Sequence, residues 1–189
     1  MLISIGVDVG SKNGAIAVIN EEFEILYLSK APSKLIELAH TAHNRLKPKA
    51  NRTTGKLELA YRSRTWTDYS QFREIFSPYV NDDIVYTVEK VSVRPSEGEM
   101  SSFIFGHSYG CFLGLSAYLN PLKVYEPTPV DWKNEMGVTS DKSTSIELAE
   151  SIFGTNLRKF LPKGKVDDLA EALLLAVYGF KMYDTELNS

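Results

Sequence analysis

The sequence predicts an α/β fold: a mixed sheet, antiparallel over its first three strands and followed by parallel strands, flanked by helices. Two observations carry this. Short runs rich in Ile, Val and Leu, bounded by Gly or by turn residues, come three in succession at the start of the chain and read as a meander. Further β-rich runs then alternate with helix-compatible stretches, giving the order βββ, α, β, α, β, α, α of a mixed layout.

The first two strands are the apolar runs 2–7 and 15–19, joined by a Gly-containing turn, Gly10-Ser11-Lys12-Asn13-Gly14. The third is 23–28. Residues 33–46 are compatible with a helix, with Leu35, Leu38 and Leu46 loosely periodic. The polar, basic stretch 47–64 reads as an extended loop or hairpin insertion. Trp66, Tyr69, Phe72 and Phe76 fall at helical spacing, with Thr67 placed to cap that helix and Pro78 to stop it. A strand at 84–88 ends on Glu89, and 90–101 is a loop containing Arg94. The stretch 102–118 is a long helix on which Gly106 and Gly110, four apart, allow another backbone to approach, inside the fold or at a subunit contact. A short strand at 123–126 precedes a short helix at 129–136 containing Lys133. Ser140 caps a helix running to Phe153, which Gly154 closes. The last helix runs from about Val166 to Tyr183, with Leu169, Ala172, Leu173, Ala176 and Val177 on its apolar face.

At 189 residues with 43% apolar content, the chain suits one domain over 1–183, with a basic insertion at about 43–64 and a tail at 184–189. A single cysteine, Cys111, leaves no intrachain disulfide or cysteine-cluster zinc site, and it reads as core packing. No signal-type segment or membrane-length apolar run is present, so the expected location is the cytoplasm, without membrane association. His40, His43 and His107 show no metal-ligand spacing together.

The net charge of −3 argues against a protein that coats nucleic acid. The average conceals a segregation: Arg45, Lys47, Lys49, Arg52, Lys56, Arg62 and Arg64 fall between 43 and 64 against the single acid Glu58. Local charge is what a polyanion meets within a Debye length.

Candidate chemistry lies in the acids. Asp8 ends the first strand, where a buried carboxylate is costly unless paired or bound to a cation. Glu89 ends a second strand. Asp168 and Glu171, three apart, share a face of the last helix, and Asp167 is turned away by roughly 100° of helical geometry. Brought together, these acids repel unless divalent cations neutralise them, and hard oxygen donors suit Mg²⁺ or Mn²⁺.

The residues Gly6-Val7-Asp8-Val9-Gly10-Ser11, then Val88-Glu89-Lys90, then Asp168-Leu169-Ala170-Glu171-Ala172-Leu173-Leu174-Leu175-Ala176, resemble in that order the ribonuclease H-like fold. More specifically they resemble the RuvC Holliday junction resolvases of the phage-encoded type, over nearly the whole chain from Leu2 to about Gly179. The resemblance implies a homodimer, two divalent ions per subunit in a site of four acids, and two symmetric nicks across a four-way DNA junction. Asp8 takes the first-strand Asp position, Glu89 the strand-end Glu, and Asp168 and Glu171 the paired acids of the last helix. Glu171 departs from the commoner Asp there. Lys133 and Lys142 fall near basic positions used around the scissile phosphate, and Gly106 to Gly110 lies in the helix that pairs subunits. The basic insertion has no counterpart in the bacterial enzymes.

The expected activity is therefore metal-dependent phosphodiester hydrolysis, with Asp8, Glu89, Asp168 and Glu171 on the metals and Lys142 near the phosphate. Lys12, Arg62, Arg64, Arg94, Lys133 and Lys142 are the expected DNA contacts. The competing readings are a ribonuclease H-fold nuclease for forks or RNA hybrids, a non-catalytic DNA-binding module, and a nucleotide-binding protein of the actin and sugar-kinase type. The last needs two such domains, and this chain has room for one.

Overall fold

The structure, a computed structural model, describes residues 1–10, 14–37, 49–50, 57–58, 63–92 and 98–189, with 49–50 and 57–58 as backbone only. In chain order the strands are β1 (Leu2–Asp8), β2 (Ala15–Asn20), β3 (Ile25–Lys30), β4 (Ser33–Glu37), β5 (Lys49–Ala50), β6 (Leu57–Glu58), β7 (Ser63–Thr67), β8 (Asp83–Val88) and β9 (Lys123–Tyr125). The helices are α1 (Phe72–Phe76), α2 (Glu99–Leu119), α3 (Pro129–Met136), α4 (Lys142–Phe153) and α5 (Asp167–Leu187).

The main sheet has the order β3-β2-β1-β8-β9. Its β3–β2 and β2–β1 pairs are antiparallel, and β1–β8 and β8–β9 are parallel, as the sequence predicts. The central strand β1 is covered on both sides, which is why its sequence is a near-continuous apolar run. Ile3, Ile5 and Val7 face one core with Phe72, Phe76, Phe112, Leu115 and Leu119 from α1 and α2. Tyr86 of β8 is wholly buried there, and its hydroxyl donates to Phe112 O at 2.9 Å. The opposite face carries Ala15, Ala17 and Leu28 against Leu169, Leu173 and their neighbours on α5, with Trp132 of α3 and Ala149 of α4 closing the layer.

Across that face β1 presents Ser4, Gly6 and Asp8, the small and polar half of its alternation. This lets α5 lie almost against the strand backbone. A Cβ built on Gly6 would fall 2.1 Å from Ala172 O and 2.4 Å from Ala176 N, and one on Gly179 would fall 2.4 Å from Thr87 Oγ1. Ser4 Oγ donates to Ala176 O at 2.7 Å, so a buried hydroxyl is satisfied by the helix it touches.

Several elements differ from expectation. Residues 33–37 form β4, paired antiparallel with β7 from Ser33↔Thr67 to Glu37↔Ser63, instead of starting a helix. Leu35 is 72% exposed and anchors no apolar face, and backbone pairing prevails over weak periodicity. The remainder of that predicted helix, 38–46, lies outside the described residues. In the basic stretch, Lys49↔Glu58 and Ala50↔Leu57 pair antiparallel, in keeping with a hairpin insertion. Trp66 and Thr67 belong to β7, so Thr67 caps nothing; its hydroxyl donates to Ser108 Oγ at 2.9 Å. A 3₁₀ turn at Tyr69–Gln71 leads into α1 instead. The third strand runs two residues later than predicted, because Phe23 takes a left-handed backbone (φ 59°) in the turn before it. Helix α2 starts at Glu99 and not Ser102. Asp141, not Ser140, caps α4, its side chain accepting from Ser143 N. Helix α5 continues through Leu187, taking in most of the stretch expected as a tail.

Candidate active site

The approach of α5 to β1 builds the site. Along the strand, Gly6 meets Ala172 and Ser4 meets Ala176, so two residues of strand match four residues of an oppositely running helix. Those steps are nearly equal in length, about 6.7 Å and about 6 Å. One step further places Asp168 beside Asp8. Glu89 joins them because its N–H donates to Val7 O at 3.0 Å, extending the β1–β8 ladder by one residue. Glu171 lies one turn along the helix from Asp168. Asp8, Asp168 and Glu171 are all more than nine-tenths buried.

Turn chemistry after β1 is fixed by Gly14, whose N–H donates to Gly10 O at 3.3 Å. A Cβ there would fall 2.6 Å from Gly10 O and 2.8 Å from Asp8 O, so only glycine fits behind the first acid.

Glu89 and the three helix acids have specific partners. Trp132, wholly buried on α3, donates its indole N–H to Glu89 Oε1 at 2.9 Å. That helix is held at its start by a capping box between Thr128 and Asp131, with Pro129 in its first turn. One residue on, Lys133 Nζ donates to Glu171 Oε1 at 2.7 Å. Lys142, the first residue of α4, is ion-paired with Asp167 and stands 3.8 Å from Asp168 Oδ1. Lys30, the last residue of β3, is ion-paired with Asp168.

The electrostatics follow from this crowding. Burial, and behind it the charges of Glu89, Glu171 and Asp168, push Asp8 well above the ordinary carboxylate range; Lys142 pulls weakly the other way. Burial also raises Glu89, against the indole hydrogen bond that lowers it. At Asp167 burial acts upward, but the hydrogen bond and charge of Lys142 outweigh it and hold the group below its ordinary value. Lys142 is correspondingly raised: desolvation acts downward, and Asp167, Glu171 and Asp168 together prevail.

Among the described residues, no three carboxylate, imidazole or thiol groups are gathered closely enough to hold a metal ion as they stand. The helix acids are turned to lysines. In chemistry the donor set does fit a hard divalent cation: four carboxylates within reach of one another's charge, with Asp8 left carrying the repulsion of three others.

The structure thus brings together Asp8, Glu89, Asp168, Glu171, Lys133 and Lys142 from the sequence-predicted set. Arg64 is not among them; it lies exposed on β7 and donates to Ser63 O at 3.0 Å. Lys12, Arg62 and Arg94 lie outside the described residues. Sequence reasoning missed Lys30, the hydrogen-bonding role of Trp132 and the Asp167–Lys142 pair. Each depends on which strand or helix stands opposite, which spacing along one element does not encode.

No family model and no curated protein matches the chain. Solved structures do. A Thermus thermophilus RuvC in complex with a Holliday junction substrate superposes with a TM-score of 0.56 at 13% identity, over 98% of this chain and 96% of that one. A second T. thermophilus RuvC structure gives 0.53 at 13% identity, over 97% and 96%. The yeast mitochondrial Holliday junction resolvase Ydc2 gives 0.51 at 15% identity, over 98% of this chain and 80% of that one. At these identities the likeness is one of architecture, and the chain has the ribonuclease H-like α/β fold found in RuvC and in the yeast mitochondrial resolvase.

Proposed function

We propose that this protein is a metal-dependent endonuclease that hydrolyses phosphodiesters in branched DNA, four-way junctions above all, acting as a homodimer that makes paired symmetric nicks. The observation that carries the reading is the meeting of two strand-end acids with a helical pair where α5 crosses β1, ringed by lysines. Fold likeness to junction resolvases supports it.

Asp8, Glu89, Asp168 and Glu171 would hold two Mg²⁺ or Mn²⁺ ions per subunit. Bound there, the ions supply Lewis-acid stabilisation of the charge that develops on the phosphate. The chain does the positioning. Trp132 fixes one oxygen of Glu89 and so aims the other. Lys133 and Lys142 neutralise the helix acids and present ammonium groups on the side where a phosphate would arrive. Lys142 is 55% exposed at its side chain, which leaves it accessible to a DNA strand.

DNA contacts outside the site are assigned to Lys12, Arg62, Arg64 and Arg94 and to the basic stretch 43–64. Dimer formation is assigned to α2: Cβ atoms built on Gly106, Gly110 and Gly114 meet nothing within 4 Å, leaving that helix face open to a second backbone.

The test is cleavage of a labelled four-way junction, a fork and a linear duplex in Mg²⁺ by wild type and Asp8→Asn. Paired nicks on the junction, lost in the variant, are the expected outcome. Equal cutting of forks would widen the substrate to branched DNA in general. Binding without cutting in Mg²⁺ or Mn²⁺ would overturn the nuclease assignment in favour of a non-catalytic module, and full activity of Asp8→Asn would overturn the assigned mechanism.

A further inference from the structure

Lys30 is a member of the acid cluster for which the metal-binding acids, Lys133 and Lys142 leave no assigned role. It closes β3, and strand register sets it in line with the acids. Lys30 pairs with Ala15, Ala15 pairs with Asp8, and Glu89 follows the Val7–Val88 pair, so the row across the sheet reads Lys30, Ala15, Asp8, Glu89. Directly paired residues point to the same face of a sheet, here the face that α5 covers. Two strand spacings put the Lys30 backbone roughly 10 Å from that of Asp8. The side chain between them is only the methyl group of Ala15, itself wholly buried. The lysine stem can therefore pass over Ala15, and its ammonium pairs with Asp168 on the helix above.

Three lysines from three elements consequently meet three helix acids: Lys30 with Asp168, Lys133 with Glu171 and Lys142 with Asp167. Asp168 is the acid that a divalent cation and Lys30 would both claim. Two cationic groups on one carboxylate repel, and the flexible four-carbon stem of lysine allows its ammonium to leave for another anion nearby. The side chain retains 28% exposure, so it opens to solvent at the rim of the site. Asp167 already feels the Lys30 charge, but it is held by Lys142, and a phosphate delivered beside the cation is an anion such an ammonium could take.

We propose that Lys30 is a phosphate-contacting residue of the site: it neutralises Asp168 until a divalent cation takes that carboxylate, and then moves to a non-bridging oxygen of the bound DNA strand. The inference rests on the nuclease reading and adds a third lysine, from the opposite edge of the acid row, to Lys133 and Lys142.

The experiment uses the full chain as wild type, Lys30→Met and Lys30→Arg. Calorimetric titration with Mn²⁺ in the absence of DNA reads the competition at Asp168. Junction binding in Ca²⁺ over a series of salt concentrations reads the phosphate contact. Lys30→Met is expected to bind Mn²⁺ about tenfold more tightly, the order of effect of removing one like charge a few ångströms from the cation near a protein surface. Its junction binding is expected to weaken, with a log–log salt slope shallower by about one, and Lys30→Arg to restore that slope. A lysine that merely braces Asp168 would give the reverse: Mn²⁺ affinity unchanged or lower, and an unaltered salt slope. That result would overturn the proposal while wild-type cleavage of the junction left the nuclease reading standing. Wild type that holds Mn²⁺ but binds no junction would overturn both. Melting curves identify a variant that has lost its fold, in which case Lys30→Gln carries the same comparison.

Discussion

At Asp8, burial and the charges of three neighbouring acids all act against ionisation. Two outcomes follow that would conflict at an ordinary structural residue. Asp8→Asn should abolish cleavage and yet raise the melting temperature of the metal-free protein, by about 2–4 °C for each kcal/mol of relieved repulsion in a chain of this size. Added Mg²⁺ should raise the melting temperature of wild type and much less that of the variant. The pH dependence has a definite sign. In the folded protein Asp8 and Glu89 keep protons that an unfolded chain gives up near 3.8 and 4.5. Their contribution to stability is full below those values and is lost as pH rises. Asp167, lowered by Lys142, works in the opposite sense. Melting curves in chelator between about pH 4 and about pH 7 should show a steeper decline for wild type than for Asp8→Asn. Trp132→Phe tests the other strand-end acid. It keeps the ring in the core but removes the donor to Glu89, a hydrogen bond to a charged group of about 1.5–3 kcal/mol. Cleavage at neutral pH should fall by about tenfold or more, with the pH–rate profile displaced upward.

Among the elements, α5 and β1 decide whether the site exists. Gly6→Ala would drive a methyl group into the backbone of Ala172 and Ala176, which cannot yield as a side chain would. The expected loss is at least about 2–3 kcal/mol, the upper range for overpacking, read by denaturant unfolding. This pair was legible in the sequence: the apolar run of β1, its terminal Asp8, and the spacing of Asp168 and Glu171 on an apolar helix are all local signals. Where local signals were weak or shared, tertiary pairing decided. Residues 33–37 became a strand because β7 lies beside them, and Thr67 became a strand residue for the same reason. Lys30 could not be singled out because its value comes from standing two strands away from Asp8. On α2, the open faces of Gly106, Gly110 and Gly114 make a different prediction. Gly110→Leu should leave the monomer folded and shift sedimentation from dimer to monomer.

Over the whole molecule, charge is unevenly distributed. The stretch 43–64 holds seven basic residues and one acid, which leaves 14 basic against 23 acidic residues in the remainder. A DNA arm would be repelled by most of this protein and drawn to that stretch and to the lysines of the site. Replacing Arg45, Lys47, Lys49, Arg52 and Lys56 with Gln should weaken junction binding and flatten its salt dependence by about 0.9 for each phosphate that the stretch no longer neutralises. Fluorescence anisotropy at several salt concentrations would measure it. An unchanged slope would exclude the stretch from the DNA-binding surface. None of the described helices is long and apolar enough to cross a membrane.

The bond from Ser4 to Ala176 joins residues 172 positions apart. During synthesis β1 is made well before α5, so the partner of its buried face appears only after the intervening residues have been added. Contacts this distant in sequence carry a loop-closure cost that must be met before they stabilise the chain, which makes them late to form. The acids at 8, 89, 168 and 171 therefore stay scattered along the polypeptide until α5 docks on β1. The same docking event that completes the core assembles them, so the acid cluster forms only as the fold does.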